Sequence, residues 1–282
     1  MGGEVTTLVN GVAVVTVSAF DRGFQFGDGL FETIRVHRGK PFRLSRHIDR
    51  LEQGAGALGI ALPFSKEKIA SFAQQLIDQN ALPEALLRLT LSRGIGPRGY
   101  APAGADRPTL VLTTHAITEQ NGPVQWRLMT SSIRLPARDL VAGHKTNNKL
   151  HQILAKAEAA KAAADEALLL NTTGHIAEGA TSNFFWVHGG NIRTAPIATG
   201  ILPGITREAV FELCDRLKLR RVETAATPEV LKTAEGAFAT LSSFGIVEVA
   251  AVDDTIIPSS DLVKRLGAAY RELLDAECTP PG

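Results

Sequence analysis

The sequence predicts an α+β fold in two lobes, and three observations carry that expectation. Its 282 residues exceed the ~100–200 typical of a single domain. Runs that alternate with period two and runs with apolar residues at helical spacing occur in both halves. A polar stretch at 118–122 interrupts them. We therefore place a small N-terminal α/β domain over 1–117, a linker over 118–122 and a large domain over 123–282.

The first domain opens with Asn10-Gly11 between Val- and Thr-rich flanks. That pair suits a hairpin over 8–17 on a type I′ turn, whose central residues both need positive φ. Residues 31–36 alternate as a strand and end at Arg38-Gly39, while 44–58 and 69–77 carry helical spacing. Two β-rich runs, 86–91 and 109–114, flank a Gly/Pro/Arg loop at 93–108; loops of that length between strands commonly serve ligands. The second domain reads as strand 124–130, an Ala-rich helix 148–164, and strands 167–170, 176–178 and 183–187. A Gly189-Gly190-Asn191 turn follows, then strand 192–195, helix 206–217, strand 219–222, helix 228–232 and strand 236–241.

Hydrophobic residues make up 44% and charged residues 21%, which sets aside disordered, collagen-like and coiled-coil chains. Thirty Lys and Arg stand against 29 Asp and Glu, with no run of five like charges. Binding nucleic acid through a basic patch is therefore not expected. No apolar run approaches the ~20 residues that span a bilayer, and the N-terminus lacks a basic region followed by an apolar core. Met1-Gly2-Gly3-Glu4-Val5-Thr6 matches the myristoylation pattern without the basic or second-lipid partner that stable anchoring requires. Asn171-Thr172-Thr173 spells a glycosylation sequon, without consequence in the cytoplasm. Two cysteines, Cys214 in an expected helix and Cys278 in the tail, argue against a disulfide framework and for a reducing, cytoplasmic setting. The seven histidines show no metal-ligand spacing, and no metal is expected.

Three groups of residues suggest chemistry. Lys149, Lys156 and Lys161 fall in the Ala-rich helix and read as a solvated face, whereas Lys145 precedes it, after Leu140-Val141-Ala142, at a loop or strand end. A lysine so placed is the better nucleophile. The run Gly200-Ile201-Leu202-Pro203-Gly204-Ile205-Thr206-Arg207 delivers a fresh helix N-terminus, whose free amides and dipole suit a phosphate or simply cap the helix. Arg50 offers a guanidinium fork or a surface pair with His47, and Ser242-Ser243 adds two hydroxyls or an ordinary turn. Glu178, on a short strand running into small residues, is able to hold a heteroaromatic nitrogen protonated, or is an exposed loop glutamate. A lysine, a phosphate cradle and a carboxylate together are what pyridoxal phosphate requires.

In five segments, in order, the chain resembles the class IV aminotransferases, the pyridoxal phosphate enzymes of fold type IV. They are Arg22-Gly23-Phe24-Gln25-Phe26-Gly27-Asp28-Gly29-Leu30-Phe31-Glu32, Arg46-His47-Ile48-Asp49-Arg50-Leu51, Lys145-Thr146-Asn147-Asn148, Ile176-Ala177-Glu178-Gly179 with Ser182-Asn183-Phe184-Phe185, and Pro203-Gly204-Ile205-Thr206-Arg207. The resemblance implies a larger C-terminal, cofactor-binding lobe with a barrel-like sheet, and a homodimer in which a loop of one subunit completes its partner's pocket. It implies Lys145 as the Schiff-base lysine and acid–base catalyst, and Glu178 as partner of the pyridine nitrogen. Arg50, Ile205 and Thr206 then hold the phosphate, and Ser242 and Ser243 contact phosphate or substrate.

For the substrate, Arg98 matches the arginine that clamps the carboxylate in D-amino-acid aminotransferases. Tyr100 and Phe31 stand where that family group has histidine and tyrosine, and Thr33 is a further expected contact on the same strand. The resemblance implies transfer of an amino group from a D-amino acid to a 2-oxo acid in ping-pong fashion, with an altered carboxylate trap. Arg93-Gly94 and Arg98-Gly99-Tyr100 are also similar to 4-amino-4-deoxychorismate lyases, which release pyruvate and p-aminobenzoate. Branched-chain L-amino-acid aminotransferases come third, because Asn147-Asn148-Lys149 replaces their usual run after the lysine.

Overall fold

The computed structural model of the protein describes residues 6–117 and 125–279. The chain forms two compact units. The first comprises Met1–Glu119, His144–Asn148 and Leu274–Gly282; the second, Gln120–Gly143 and Lys149–Leu273. The linker expected at 118–122 and the myristoylation pattern, apart from Thr6, lie outside the described residues. A single cut at the linker would leave two segments on the wrong side: 144–148, which carries Lys145, and the chain end both belong with the first unit.

In the first unit, β1 (Leu8–Val9) and β2 (Val12–Ala13) flank Asn10 and Gly11, at φ 49° and 79° as a type I′ turn requires. Helix α1 (Arg22–Phe26), not anticipated, is one short turn capped by the Asp21 carboxylate on the Gly23 N–H. There follow β3 (Gly29–His37), β4 (Lys40–Pro41), α2 (Leu44–Leu58), α3 (Lys66–Asn80), β5 (Ala85–Ser92) and β6 (Thr109–Ala116). The sheet order is β2-β1-β6-β5-β3-β4, antiparallel throughout. Alternation gives each strand two faces. Ala85, Leu87, Leu89 and Leu91 of β5 are fully buried and join Ile34 and Val36 of β3 in a core with Ile48 and Leu51 of α2 and Ile69 and Leu76 of α3. Each such Leu or Ile contributes about 1.5–3 kcal/mol by leaving water.

The second unit is built on β7 (Gln125–Leu135), α4 (Leu150–Lys161), β8 (Glu166–Asn171), β9 (Ile176–Gly179), β10 (Asn183–His188), β11 (Asn191–Thr194), α5 (Ile205–Arg216), β12 (Arg221–Glu223), β13 (Gly236–Leu241), β14 (Gly245–Val252) and β15 (Thr255–Ile256). Its nine strands run β12-β11-β10-β13-β14-β7-β8-β9, with β15 on β14, and curl as a half-barrel. The fold is thus α+β with the barrel-like C-terminal sheet that the resemblance implied. Phe184 and Trp186 of β10 and Val247 and Val249 of β14 fill one core cluster; Leu169, Ala177, Ala155 and Ala159 belong to another.

Several expectations change. Strand β7 runs five residues past the expected end at 130, because the Glu158 carboxylate accepts hydrogen bonds from the Ser131 and Ser132 hydroxyls that conceal a strand in the sequence. The helix expected at 228–232 is a 3₁₀ segment, Pro228–Thr233, started by its proline. The expected strand at 219–222 shifts to Arg221–Glu223, and the expected helix at 148–164 shortens to Leu150–Lys161. β14, β15 and helix α6 (Asp261–Cys278) were not anticipated. Cys278, expected in a tail, is the last residue of α6 and is buried. No helix among the described residues is long and apolar enough to cross a membrane.

Candidate functional site

In the first unit the site is organised by β3. Segment 145–147 joins the start of this strand: the Phe31 N–H donates to the Lys145 carbonyl (2.8 Å) and the Asn147 N–H to the Gly29 carbonyl (2.9 Å). Only glycine fits at position 29, where a Cβ would lie 2.3 Å from the Leu91 carbonyl oxygen and 2.7 Å from Asn147 Nδ2. This pairing puts Lys145 beside Phe31, with the amine 4.7 Å from the ring centroid. Phe31 and Thr33 lie on the half-buried face of β3, opposite the core face. Arg88, across the sheet from Thr33, sets its guanidinium 3.9 Å from the centre of the Phe31 ring. Burial lowers the Arg88 pKa.

The core face of the same strand carries a charge. Glu32, fully buried between Leu30 and Ile34, accepts hydrogen bonds from Arg50 Nε (2.8 Å), Arg50 Nη2 (2.6 Å) and His47 Nδ1 (2.7 Å), both partners lying on α2. Burial raises the Glu32 pKa, but the Arg50 charge and the hydrogen bonds from His47 and Arg50 outweigh it and hold the carboxyl at about 2. Burial pushes the His47 imidazole below its ordinary value, and the charges of Arg50 and Lys145 add to this, against the pull of Glu32. Because the ionised carboxylate has no proton to give, the ring donates to it from Nδ1. Arg50 and His47 therefore share one buried anion rather than forming a surface pair. Arg98 and Tyr100 lie elsewhere in this unit: both are exposed, Tyr100 by 86%, on the loop after β5.

The second unit assembles the other expected residues. Glu178 lies on β9 just before its last residue, and its Oε2 accepts from the Leu202 N–H (3.0 Å) and from Asn183 Nδ2 (3.3 Å). The same Asn183 amide donates to the Leu202 carbonyl (2.9 Å), which locks its orientation. Asn183 also meets the start of α5, since a Cβ on Gly204 would lie 2.1 Å from its Oδ1. Gly204 caps α5 without a side-chain hydrogen bond, so the first amides, including those of Ile205 and Thr206, have no capping side chain. Thr206 is buried there. Ser242 and Ser243 occupy the turn between β13 and β14, and on β13 the Thr240 hydroxyl, opposite Asn183 across the sheet, is buried with no partner among the described residues.

The family profile described as amino-transferase class IV matches residues 29–252. The chain belongs to the class IV aminotransferases. It is 35% identical over 261 residues to a putative branched-chain-amino-acid aminotransferase of Methanocaldococcus jannaschii, covering 91% of each chain. It is 34% identical to the D-alanine aminotransferase of Bacillus licheniformis, covering 85% of this chain and 84% of that protein. It superposes on the 4-amino-4-deoxychorismate lyase of Pseudomonas aeruginosa with a TM-score of 0.86 at 31% identity, covering 95% of this chain and 99% of that one.

Class IV aminotransferases are pyridoxal phosphate enzymes. The side chains present suit that cofactor. The uncapped α5 terminus with its buried threonine is an anion site, the fixed Glu178 carboxylate complements a protonated ring nitrogen, the Lys145 amine complements an aldehyde, and the orphaned Thr240 hydroxyl marks a polar place left unsatisfied.

Sequence reasoning singled out Lys145, Glu178 and the α5 start, and left out Glu32, Asn183 and Arg88. Glu32 had a visible signal: a carboxylate in register with Leu30, Ile34 and Val36 breaks the apolar face of a strand.

Proposed function

We propose that the protein is a pyridoxal phosphate-dependent transaminase that moves an amino group between a D-amino acid and a 2-oxo acid, acting as a homodimer. The observation that carries the reading is Lys145, tied by backbone hydrogen bonds to β3 with its amine against Phe31. The cofactor, when bound, supplies an aldehyde for amines and a ring that withdraws electrons. Lys145 would be the residue that holds it through its amine, and that amine, once displaced by the substrate's amino group, would serve as the base that takes the proton from the substrate α-carbon. Glu178 keeps the ring nitrogen protonated; the Ile205 and Thr206 amides, the Thr206 hydroxyl and Arg50 hold the phosphate, and Ser242 and Ser243 line the same ligand. Phe31 and Thr33 contact the substrate, and Arg98 with Tyr100 receives its carboxylate. The buried free thiols of Cys214 and Cys278 accord with a cytoplasmic, reducing setting.

The D-amino-acid reading is supported by Arg98 in the loop and by the Bacillus licheniformis relative. A lyase reading is supported by the fit to the Pseudomonas aeruginosa enzyme, and a branched-chain reading by the Methanocaldococcus jannaschii relative. The test is the visible absorption of the cofactor-loaded protein after separate addition of D-alanine, L-alanine and L-leucine. Conversion to the pyridoxamine spectrum with D-alanine alone supports the proposal. Conversion with L-leucine alone selects the branched-chain reading, and a band inert to all three, with p-aminobenzoate released from aminodeoxychorismate, selects the lyase.

A further inference from the structure

Arg22 is almost wholly buried, and its guanidinium ties Asp28, just before β3, to the loop after β5. Its Nε donates to Asp28 Oδ2 (2.8 Å), its Nη1 to the carbonyls of Gly99 (2.8 Å) and Ala101 (3.3 Å), and its Nη2 to that of Tyr100 (3.0 Å). One planar fork thus holds three consecutive carbonyls, which a point-charge ammonium does not reproduce. The guanidinium also lies 5.0 Å from the centre of the Phe26 ring, and that ring meets the otherwise exposed Tyr100 edge-on at 5.5 Å.

Asp28 is shared. Arg93 donates to it through Nε (2.8 Å) and Nη2 (3.1 Å), and holds the Leu58 and Gly59 carbonyls at the end of α2 (2.8 and 2.9 Å). Although burial raises the Asp28 pKa, the hydrogen bonds and charges of Arg93 and Arg22 leave it below its ordinary value. A continuous set of charge-assisted bonds therefore runs from the C-terminus of the helix bearing Arg50, through Arg93, Asp28 and Arg22, to the loop bearing Arg98. The neck of the loop is closed as well: Gly94, at φ +83°, packs so tightly that a Cβ would sit 1.8 Å from the Arg107 carbonyl oxygen.

We propose that Arg22 is a positioning residue that holds the 99–101 backbone so that Arg98 and Tyr100 are presented in one fixed arrangement to the substrate carboxylate. This rests on the reading of Arg98 as a substrate contact. Arg22 touches no reacting atom; it removes the entropy that a free loop would lose on binding.

The test uses the cofactor-loaded protein and the variants Arg22→Gln and Arg98→Gln. Tryptic cleavage at Arg98–Gly99, followed by fragment mass, reads loop opening without reference to activity. It should be at least about ten-fold faster in Arg22→Gln, the factor set by losing one charge-assisted hydrogen bond. KM for the amino acid should rise by about the same factor with kcat within two-fold, and Arg98→Gln should raise KM less in the Arg22→Gln background than alone. Unchanged cleavage overturns the proposal, as does unchanged KM with faster cleavage. Unchanged KM in Arg98→Gln alone overturns the substrate reading beneath it, which the cleavage rate tells apart from a failed clamp. Should Arg22→Gln not fold, Arg22→Lys keeps a charge beside Asp28 while losing the fork, and the same readings decide.

Discussion

Replacing Glu32 by Gln removes one negative charge and almost no volume, so its effect isolates the electrostatics beneath β3. The carboxyl sits at about 2 against an ordinary 4.5, a difference worth roughly 3 kcal/mol of stability at neutral pH. Breaking a buried ion pair from one side costs about 3–5 kcal/mol on independent grounds, and the slight exposure of Arg50 places this case at the low end. Because the folded-state pKa is depressed, the stabilisation is present above pH 4.5 and is lost as pH falls through 4.5 towards 2. Hydrogen exchange of the β3 and β5 amides at pH 7 should therefore be faster in Glu32→Gln by an opening free energy of about 3 kcal/mol. Urea midpoints of the two proteins should converge between pH 4.5 and 2. A loss below about 1 kcal/mol, or one of equal size at pH 7 and pH 3, refutes the reasoning, since either means that the carboxylate is not the group that Arg50 and His47 require.

Two other outcomes are expected. Thr206→Val keeps the shape of the α5 N-terminus and deletes a hydroxyl; affinity for pyridoxal phosphate, titrated by absorbance, should fall about ten-fold or more. Affinity for pyridoxal, which has no phosphate, should not change, and an equal loss for both contradicts the phosphate assignment. The thiols of Cys214 and Cys278 are both pushed up by burial to about 11, so a chromogenic disulfide reagent at pH 8 should label neither until the protein unfolds. Rapid labelling of either in the native protein contradicts the burial of that cysteine.

Local signals in the sequence carried the first unit furthest. Asn10-Gly11, Arg38-Gly39 and the apolar spacing of 44–58 act within a few residues, and the turns and α2 fall where those signals put them. Residues 245–278 carried no comparable punctuation to separate β14, β15 and α6, and the polar Ser131-Ser132 hid the middle of β7 because its stabilising carboxylate is Glu158, far along the chain. At the site, Lys145 stood out for being off the Ala-rich helix, but its pairing with β3 is a long-range contact with no local trace. Arg50 was legible as a guanidinium fork, whereas the neutralising Glu32 became visible only once α2 lay against the strand. Charge pairs between sequence-distant elements are the part of such a site that periodicity does not encode.

The return of 144–148 and of the last turn of α6 to the first unit has a consequence for how the chain is made. The ribosome delivers residues in order, and domains ordinarily complete themselves N-terminal first. Here the N-terminal sheet lacks its lysine-bearing edge until the middle of the message has been read. It lacks the His37–Asp275 and Arg43–Glu277 ties until the last turn of α6 has been made. The nascent first unit therefore leaves the exit tunnel unfinished, and Lys145 takes its place only after residues 120–143 of the second unit have been synthesised.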